Sequence, residues 1–103
     1  MFNPFKKKEK STFRFSEPEN TACFTCNHVL SDHSPILYVS HSAEDGAWQF
    51  MCGQNDHTEA NAKIVSLKQI TQIDPSINDL FKMPLGVGAE RDNFGEKWRP
   101  FKL

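Results

Sequence analysis

The segment ACFTCNH at residues 22–28 carries two cysteines two residues apart, and the segment MCGQNDH at residues 51–57 adds a third cysteine and a histidine. Cys23, Cys26, Cys52 and His57 together form a complete ligand set for a tetrahedral zinc site, with three thiolates and one imidazole. The set uses all 3 cysteines of the chain. We therefore expect a Zn²⁺ ion that ties the start of the domain to its middle.

A predicted antiparallel hairpin brings these distant ligands together. The segments at residues 35–41 (PILYVSH) and 47–52 (AWQFMC) are rich in β-branched and aromatic residues, which favour strands. The acidic turn EDG at residues 44–46 lies between them, and its Asp-Gly pair tolerates positive φ. Counting outward from a turn centred near Glu44 places Cys52 opposite Ile36, at the open end of the hairpin. The chain enters there from a zinc knuckle formed by the Cys-x-x-Cys turn.

Two alternatives for the metal site stay open. His28 is a substitute ligand, because a site of Cys26, His28, Cys52 and His57 is also chemically acceptable. The sequence does not decide whether His28 or Cys23 completes the site. Four protein ligands would close the site, which is typical of structural zinc.

An open zinc site would indicate a different class of protein. With only three protein ligands, a water would take the fourth position, and Asp56 or Glu59 beside His57 could act as general base. That arrangement would make the chain a zinc-dependent hydrolase. We favour the closed site, and hence a protein without catalytic residues.

The odd number of cysteines argues against a secreted disulfide framework and favours a reducing cytoplasm. A redox role for the Cys23-x-x-Cys26 pair would need a helix directly after it, to lower the thiol pKa. The dipeptide Ser34-Pro35 follows within eight residues and leaves little room for one. We expect thiolate ligands rather than a redox pair.

The net charge of the chain does not indicate a class of binding partner. The net charge is −1 and the sequence pI is about 6.4, whereas nucleic-acid-binding proteins show a strong basic excess. The basic residues Lys6, Lys7, Lys8 and Lys10 fall in residues 1–20, which we interpret as a flexible tail preceding a single domain at residues 21–103. After the closed-site binding protein and the open-site hydrolase, the third functional alternative is a nucleic-acid-binding zinc module that uses this tail. No apolar run approaches the length of a membrane span.

The second half of the chain predicts two capped helices, and thus an α+β fold with a small, mostly antiparallel sheet. Residues 63–66 form a short strand, and Ser66 with Gln69 fits a capping box for a helix that runs through Gln72. Asp74 and the proline after it repeat the signal for a second helix that ends at Pro84. The last residues, 86–103, are expected to add one irregular strand.

From Asn27 onward the chain resembles a small bacterial family that is grouped with the immunity proteins of polymorphic toxin systems (immunity protein 33-like). The resemblance rests on two groups of residues. The first is the strand after the acidic turn, with Gly46, Trp48 and Phe50. The second is a longer run with Leu67, Ile70, Asp74, Pro75, Ser76, Leu80, Pro84 and Gly86.

The resemblance implies a function in binding a partner protein, such as a toxin, and provides no catalytic residue. It does not imply zinc, since members of the family commonly carry serine or other polar residues where Cys26 and Cys52 stand. The expected metal therefore rests on ligand spacing alone. We expect a cytoplasmic, zinc-stabilised binding protein.

Overall fold

The computed structural model of the chain describes residues 13–53 and 62–103. In these residues the secondary-structure elements follow one another in an α+β order. They are β1 (Ala22–Cys26), α1 (Asn27–Ser31), β2 (Tyr38–His41), β3 (Trp48–Met51), β4 (Ala62–Ser66), α2 (Leu67–Ile73), a 3₁₀ helix (Pro75–Leu80), β5 (Val87–Glu90) and β6 (Arg99–Lys102).

The strands form one mixed sheet, in the order β4-β1-β3-β2-β5-β6. Only β1 and β3 are parallel, and the other four neighbouring pairs are antiparallel. The parallel pair arises because β3 returns from β2 into the space beside β1. The predicted α+β class with a mostly antiparallel sheet is confirmed.

The predicted central hairpin is confirmed, with its register shifted by one residue. Tyr38 pairs with Met51, and the Leu37 N–H donates to the Met51 carbonyl at 2.9 Å. Cys52 thus lies beside Leu37, not Ile36, because the centre of the loop falls between residues 44 and 45. Gly46 has a φ of 75°, the conformation for which the acidic turn predicted a glycine.

The core lies between one face of this sheet and the helices. Trp48, Phe50 and Cys52 are all buried, as the alternation along the strand predicted. Ile70 and Ile77, from α2 and the 3₁₀ helix, are fully buried in the same cluster. The helices therefore cover the sheet with the apolar positions that helical spacing indicated.

The packed part of the chain begins earlier than the predicted boundary at residue 21. Phe15 is 6% exposed and meets the Trp48 ring edge-on, with ring centroids 5.1 Å apart. Glu17 accepts a hydrogen bond from the Trp48 indole at 2.9 Å. Residues 13–20, assigned to the tail from sequence, thus include a core residue. Phe15 packs against the sheet because burial of a large aromatic side chain is favourable. Residues 1–12 lie outside the described residues.

Both predicted N-caps are present. The Ser66 hydroxyl accepts from the Gln69 N–H at 3.0 Å, and the Asp74 carboxylate accepts from the Ser76 N–H at 3.0 Å. The second helix is a 3₁₀ helix of 6 residues that ends at Leu80, before the predicted stop at Pro84. A short 3₁₀ segment is common where side chains compete for backbone groups.

Two predictions of local structure differ from the structure. The predicted knuckle at Cys23–Cys26 is instead strand β1, because its residues pair with β4 on one side and β3 on the other. The C-terminal segment forms two strands, β5 and β6, where one irregular strand was expected. Both differences come from pairing between distant segments.

Candidate metal centre

The candidate metal centre forms where two strands end. Cys26 closes β1 and is the N-cap of α1, with φ −121° and ψ 162°, and His28 lies in the first turn of that helix. Cys52 follows the last residue of β3. Because β1 and β3 run parallel, their ends meet at the same edge of the sheet. Local backbone and sheet topology together bring the three side chains to one point.

The three ligand atoms have the spacing that a single metal ion requires. The Cys26 thiol, a His28 ring nitrogen and the Cys52 thiol all lie within 4.8 Å of one another. The distance from His28 Nδ1 to Cys52 Sγ is 3.6 Å. In a tetrahedral zinc site with bonds of about 2.3 Å to sulfur and about 2.0 Å to nitrogen, these two atoms lie about 3.5 Å apart. The group can therefore provide three ligands to Zn²⁺.

Burial of the group also suits a structural ion. Cys26 is 0% exposed and Cys52 is 3% exposed, while His28 is partly buried. Two thiolates and an imidazole are soft to borderline ligands, which favour zinc over magnesium or calcium. The sequence named all three residues, with His28 as the substitute ligand.

Cys23 lies elsewhere in the sheet. It is fully buried in the middle of β1, and it is not a member of the group formed by Cys26, His28 and Cys52. Three residues of an extended strand span about 10 Å and place side chains i and i+3 on opposite faces. Desolvation by burial raises the pKa of the Cys23 thiol from 9.0 to about 12.

This buried thiol predicts a loss of stability at alkaline pH. Above about pH 9 the unfolded chain releases the Cys23 proton, whereas the folded protein retains it until its pKa of about 12. The contribution is complete below pH 9, and we expect a loss of about 1.4 kcal/mol per pH unit above it. Urea unfolding of wild type and Cys23→Ala across this range measures it. If the two profiles stay parallel, Cys23 does not titrate as a free buried thiol.

Several residues of interest lie outside the described part of the chain. They are the predicted ligand His57, the candidate bases Asp56 and Glu59, and the basic residues Lys6, Lys7, Lys8 and Lys10. Within residues 13–53 and 62–103 no fourth Cys, His, Asp or Glu joins the group. The closed site, the open site and the role of the tail therefore stay predictions.

A disulfide within the Cys23-x-x-Cys26 pair does not fit the strand. A short helix does follow Cys26, contrary to the expectation that the sequence leaves little room for one. However, a separation of about 10 Å along β1 exceeds the roughly 7 Å between Cα atoms that a disulfide can bridge. The structure thus argues against the redox interpretation on different grounds from the sequence.

A second polar cluster, missed by the sequence analysis, is centred on Arg91. This residue is 3% exposed, and its guanidinium donates to Asp74 Oδ2 at 2.7 Å, to Ser76 Oγ at 3.0 Å and twice to the Ile36 carbonyl, at 3.0 and 3.1 Å. The Trp98 ring lies 4.0 Å from its central carbon. The sequence showed Asp74 only as a helix cap, because nothing local indicates that a residue 17 positions away would pair with it.

His41 also has partners that its sequence context did not predict. Its ring stacks on Trp48 with centroids 3.9 Å apart, and its Nδ1 lies 2.9 Å from the Met83 carbonyl. The stacking shows a structural role beside the core.

No helix in the described residues is both long enough and apolar enough to cross a membrane. Residues 23–102 match the family described as the immunity protein Imm33 domain. Neither a curated protein nor a solved structure matches the chain. The match spans the elements from β1 to β6 except for Ala22, the first residue of β1, and it includes the candidate metal centre and the Arg91 cluster. The chain belongs to the Imm33 immunity protein family.

Proposed function

We propose that this protein is a non-enzymatic immunity module that acts in the bacterial cytoplasm by binding a toxin protein. The observation that carries the proposal is the family match over residues 23–102, which includes all six strands of the sheet apart from the first residue of β1. Immunity proteins act by occupying a partner, a task that needs a complementary surface and no catalytic residue. The resemblance seen in the sequence supports the same class of partner.

Expression beside a toxin tests this function in cells. The toxin to use is one encoded next to this gene, under an inducible promoter in a susceptible host. We expect the protein to restore growth when it is co-expressed with that toxin and to have no effect on an unrelated toxin. Growth arrest despite abundant, folded protein would contradict the immunity function.

We further propose that a zinc ion stabilises the module. Cys26, His28 and Cys52 are the three ligands whose geometry supports this, and His57, five residues beyond Cys52, is the proposed fourth. Cys23 is the alternative fourth ligand and would need a rearrangement of β1. Four protein ligands would give the closed coordination of a structural site.

Substitution of single ligands distinguishes the two sets. We expect Cys23→Ala to retain about one zinc per chain, and His28→Gln and His57→Gln to reduce the zinc content, because removal of a ligand weakens the site. Elemental analysis of protein purified without added metal provides the measurement. A zinc-free Cys23→Ala protein that is still folded would instead favour Cys23 as a ligand.

A further inference from the structure

An apolar groove lies where the 3₁₀ helix ends over β5 and β6. Its walls come from Leu80, Met83 and Pro84, and its floor comes from Val87, Ala89 and Pro100, with a volume of about 460 Å³. That size is within the range of protein sites that take a large side chain or a small ligand. The groove is remote in the fold from the candidate metal centre, with which it shares no residue.

The charges around the groove favour an anionic occupant. Lys82 and Lys97 line it, against one acidic residue, Asp79. Lys102, exposed on β6, pairs across the strands with Val87 of the floor. The chain as a whole has a net charge of −1, so this local excess of lysines is not a consequence of a basic composition.

The Trp98 side chain, part of the groove lining, carries a buried hydrogen-bond donor without an acceptor. Trp98 lines the groove, and its Nε1 is the one buried side-chain nitrogen or oxygen in the described residues that has no hydrogen-bond partner. An indole N–H can only donate, and a buried unpaired donor is unfavourable. Nε1 is itself buried and not exposed to the groove, so the charge of the lysines, and not this donor, indicates the occupant.

The neighbouring sheet edge disfavours the main alternative mode of binding, in which a partner adds a strand. The edge strand β6 contains Pro100, which has no N–H, and the charged residues Arg99 and Lys102. Proline and exposed charges are the features by which edge strands avoid pairing with another chain. We therefore expect a partner to contact the groove through its side chains and not by adding a strand to the sheet.

We propose that this groove binds a segment of the partner protein in which apolar side chains are flanked by carboxylates. The inference rests on the proposed function, since it names the surface and the chemistry by which the module would recognise its toxin. The apolar side chains fill the groove beside the Trp98 ring, and the carboxylates contact Lys82 and Lys97. Tryptophans in such positions often dominate a binding energy.

Synthetic peptides and the Trp98 indole signal test the groove directly. The probe is the capped peptide Asp-Asp-Leu-Phe-Asp-Asp, with two controls: the same peptide with lysine for each aspartate, and hexa-aspartate. The chain has 2 tryptophans, so its ¹⁵N spectrum contains two indole N–H signals, which Trp98→Phe assigns. We expect only the first peptide to shift the Trp98 signal in a saturable way, with the Trp48 signal unchanged.

Matched variants tie the signal to the proposed contacts. We expect the double variant Lys82→Glu, Lys97→Glu to bind the acidic peptide at least about tenfold more weakly, and Lys68→Glu, an exposed lysine on α2, to bind it normally.

Three results would overturn the proposal that the groove binds such a segment. They are no saturable shift up to about 1 mM peptide, equal binding of hexa-aspartate, and unchanged binding by the double lysine variant. Failure of the immunity function is a separate result. A toxin bound equally well by wild type and by the double variant would overturn the groove and leave the function standing, whereas peptide binding without any toxin binding would do the reverse.

Discussion

Chelation of zinc is expected to produce the largest loss of stability. Structural zinc sites in small domains have apparent binding free energies of about 10–16 kcal/mol, and this energy contributes to folding because the unfolded chain has no preformed site. Even a loss of about 3 kcal/mol would lower the Tm of a domain this size by about 12–24 °C. Differential scanning calorimetry with and without a strong chelator measures the shift.

The control for this experiment is Cys26→Ser, which removes a buried ligand of the proposed site. We expect its Tm to match that of the chelated wild type and to be unaffected by chelator, because it has no zinc to lose. Readdition of Zn²⁺ should restore the wild type and leave the variant unchanged. A wild-type Tm that is indifferent to chelator, in protein shown to have lost its metal, would contradict a stabilising zinc ion.

Replacement of Asp74 is expected to produce the second largest effect. Asp74→Ala leaves the Arg91 guanidinium buried without its counter-ion, and loss of one partner of a buried ion pair typically costs about 3–5 kcal/mol. The same carboxylate caps the 3₁₀ helix, which adds about 1 kcal/mol. Urea unfolding of the metal-loaded proteins measures the difference.

The chain offers a matched control in a surface ion pair. Arg99 and Asp92 lie 3.0 Å apart, but their side chains are 52% and 74% exposed. We expect Asp92→Ala to cost less than about 1 kcal/mol, because solvent screens exposed pairs. In addition, Asp74→Ala combined with Arg91→Met should cost less than the sum of the single changes, since it removes both charges. Equal losses of unfolding free energy for Asp74→Ala and Asp92→Ala would mean that the buried pair of Asp74 and Arg91 stabilises the protein no more than an exposed pair does.

The features predicted correctly from sequence are those encoded within a few residues. The hairpin depends on the acidic turn with Gly46, and the caps depend on Ser66 and Asp74, each bonded to an N–H two or three residues away. Alternation along β3 gave the buried face that carries Trp48 and Phe50. Such signals need no knowledge of the rest of the chain.

The features that differ depend on contacts between distant segments. Strand β1 forms because β3 and β4 pair with it, which overrides the turn that a Cys-x-x-Cys spacing suggested. Phe15 is buried by Trp48, and Arg91 pairs with Asp74, and neither contact leaves a local pattern. The shift of the hairpin register by one residue arose from the unknown length of its loop.

The candidate site was anticipated in part. Cys26 and Cys52 meet as predicted, and His28, the substitute, is the histidine that lies beside them in the described residues. The extended conformation of β1 explains why Cys23 lies apart from this group, since only a turn would bring residues i and i+3 together. The place of His28 follows from helix α1, which begins directly after Cys26.

Titration calorimetry of the purified, zinc-loaded protein with an inactivated form of the toxin encoded beside its gene tests the proposed function most directly. The function predicts saturable binding of one toxin per chain, with a Kd below about 1 μM. Gel filtration of the mixture should then show a single complex. If calorimetry shows no heat of binding and gel filtration shows no complex at concentrations of about 10 μM, with both proteins folded, this chain is not an immunity protein for that toxin.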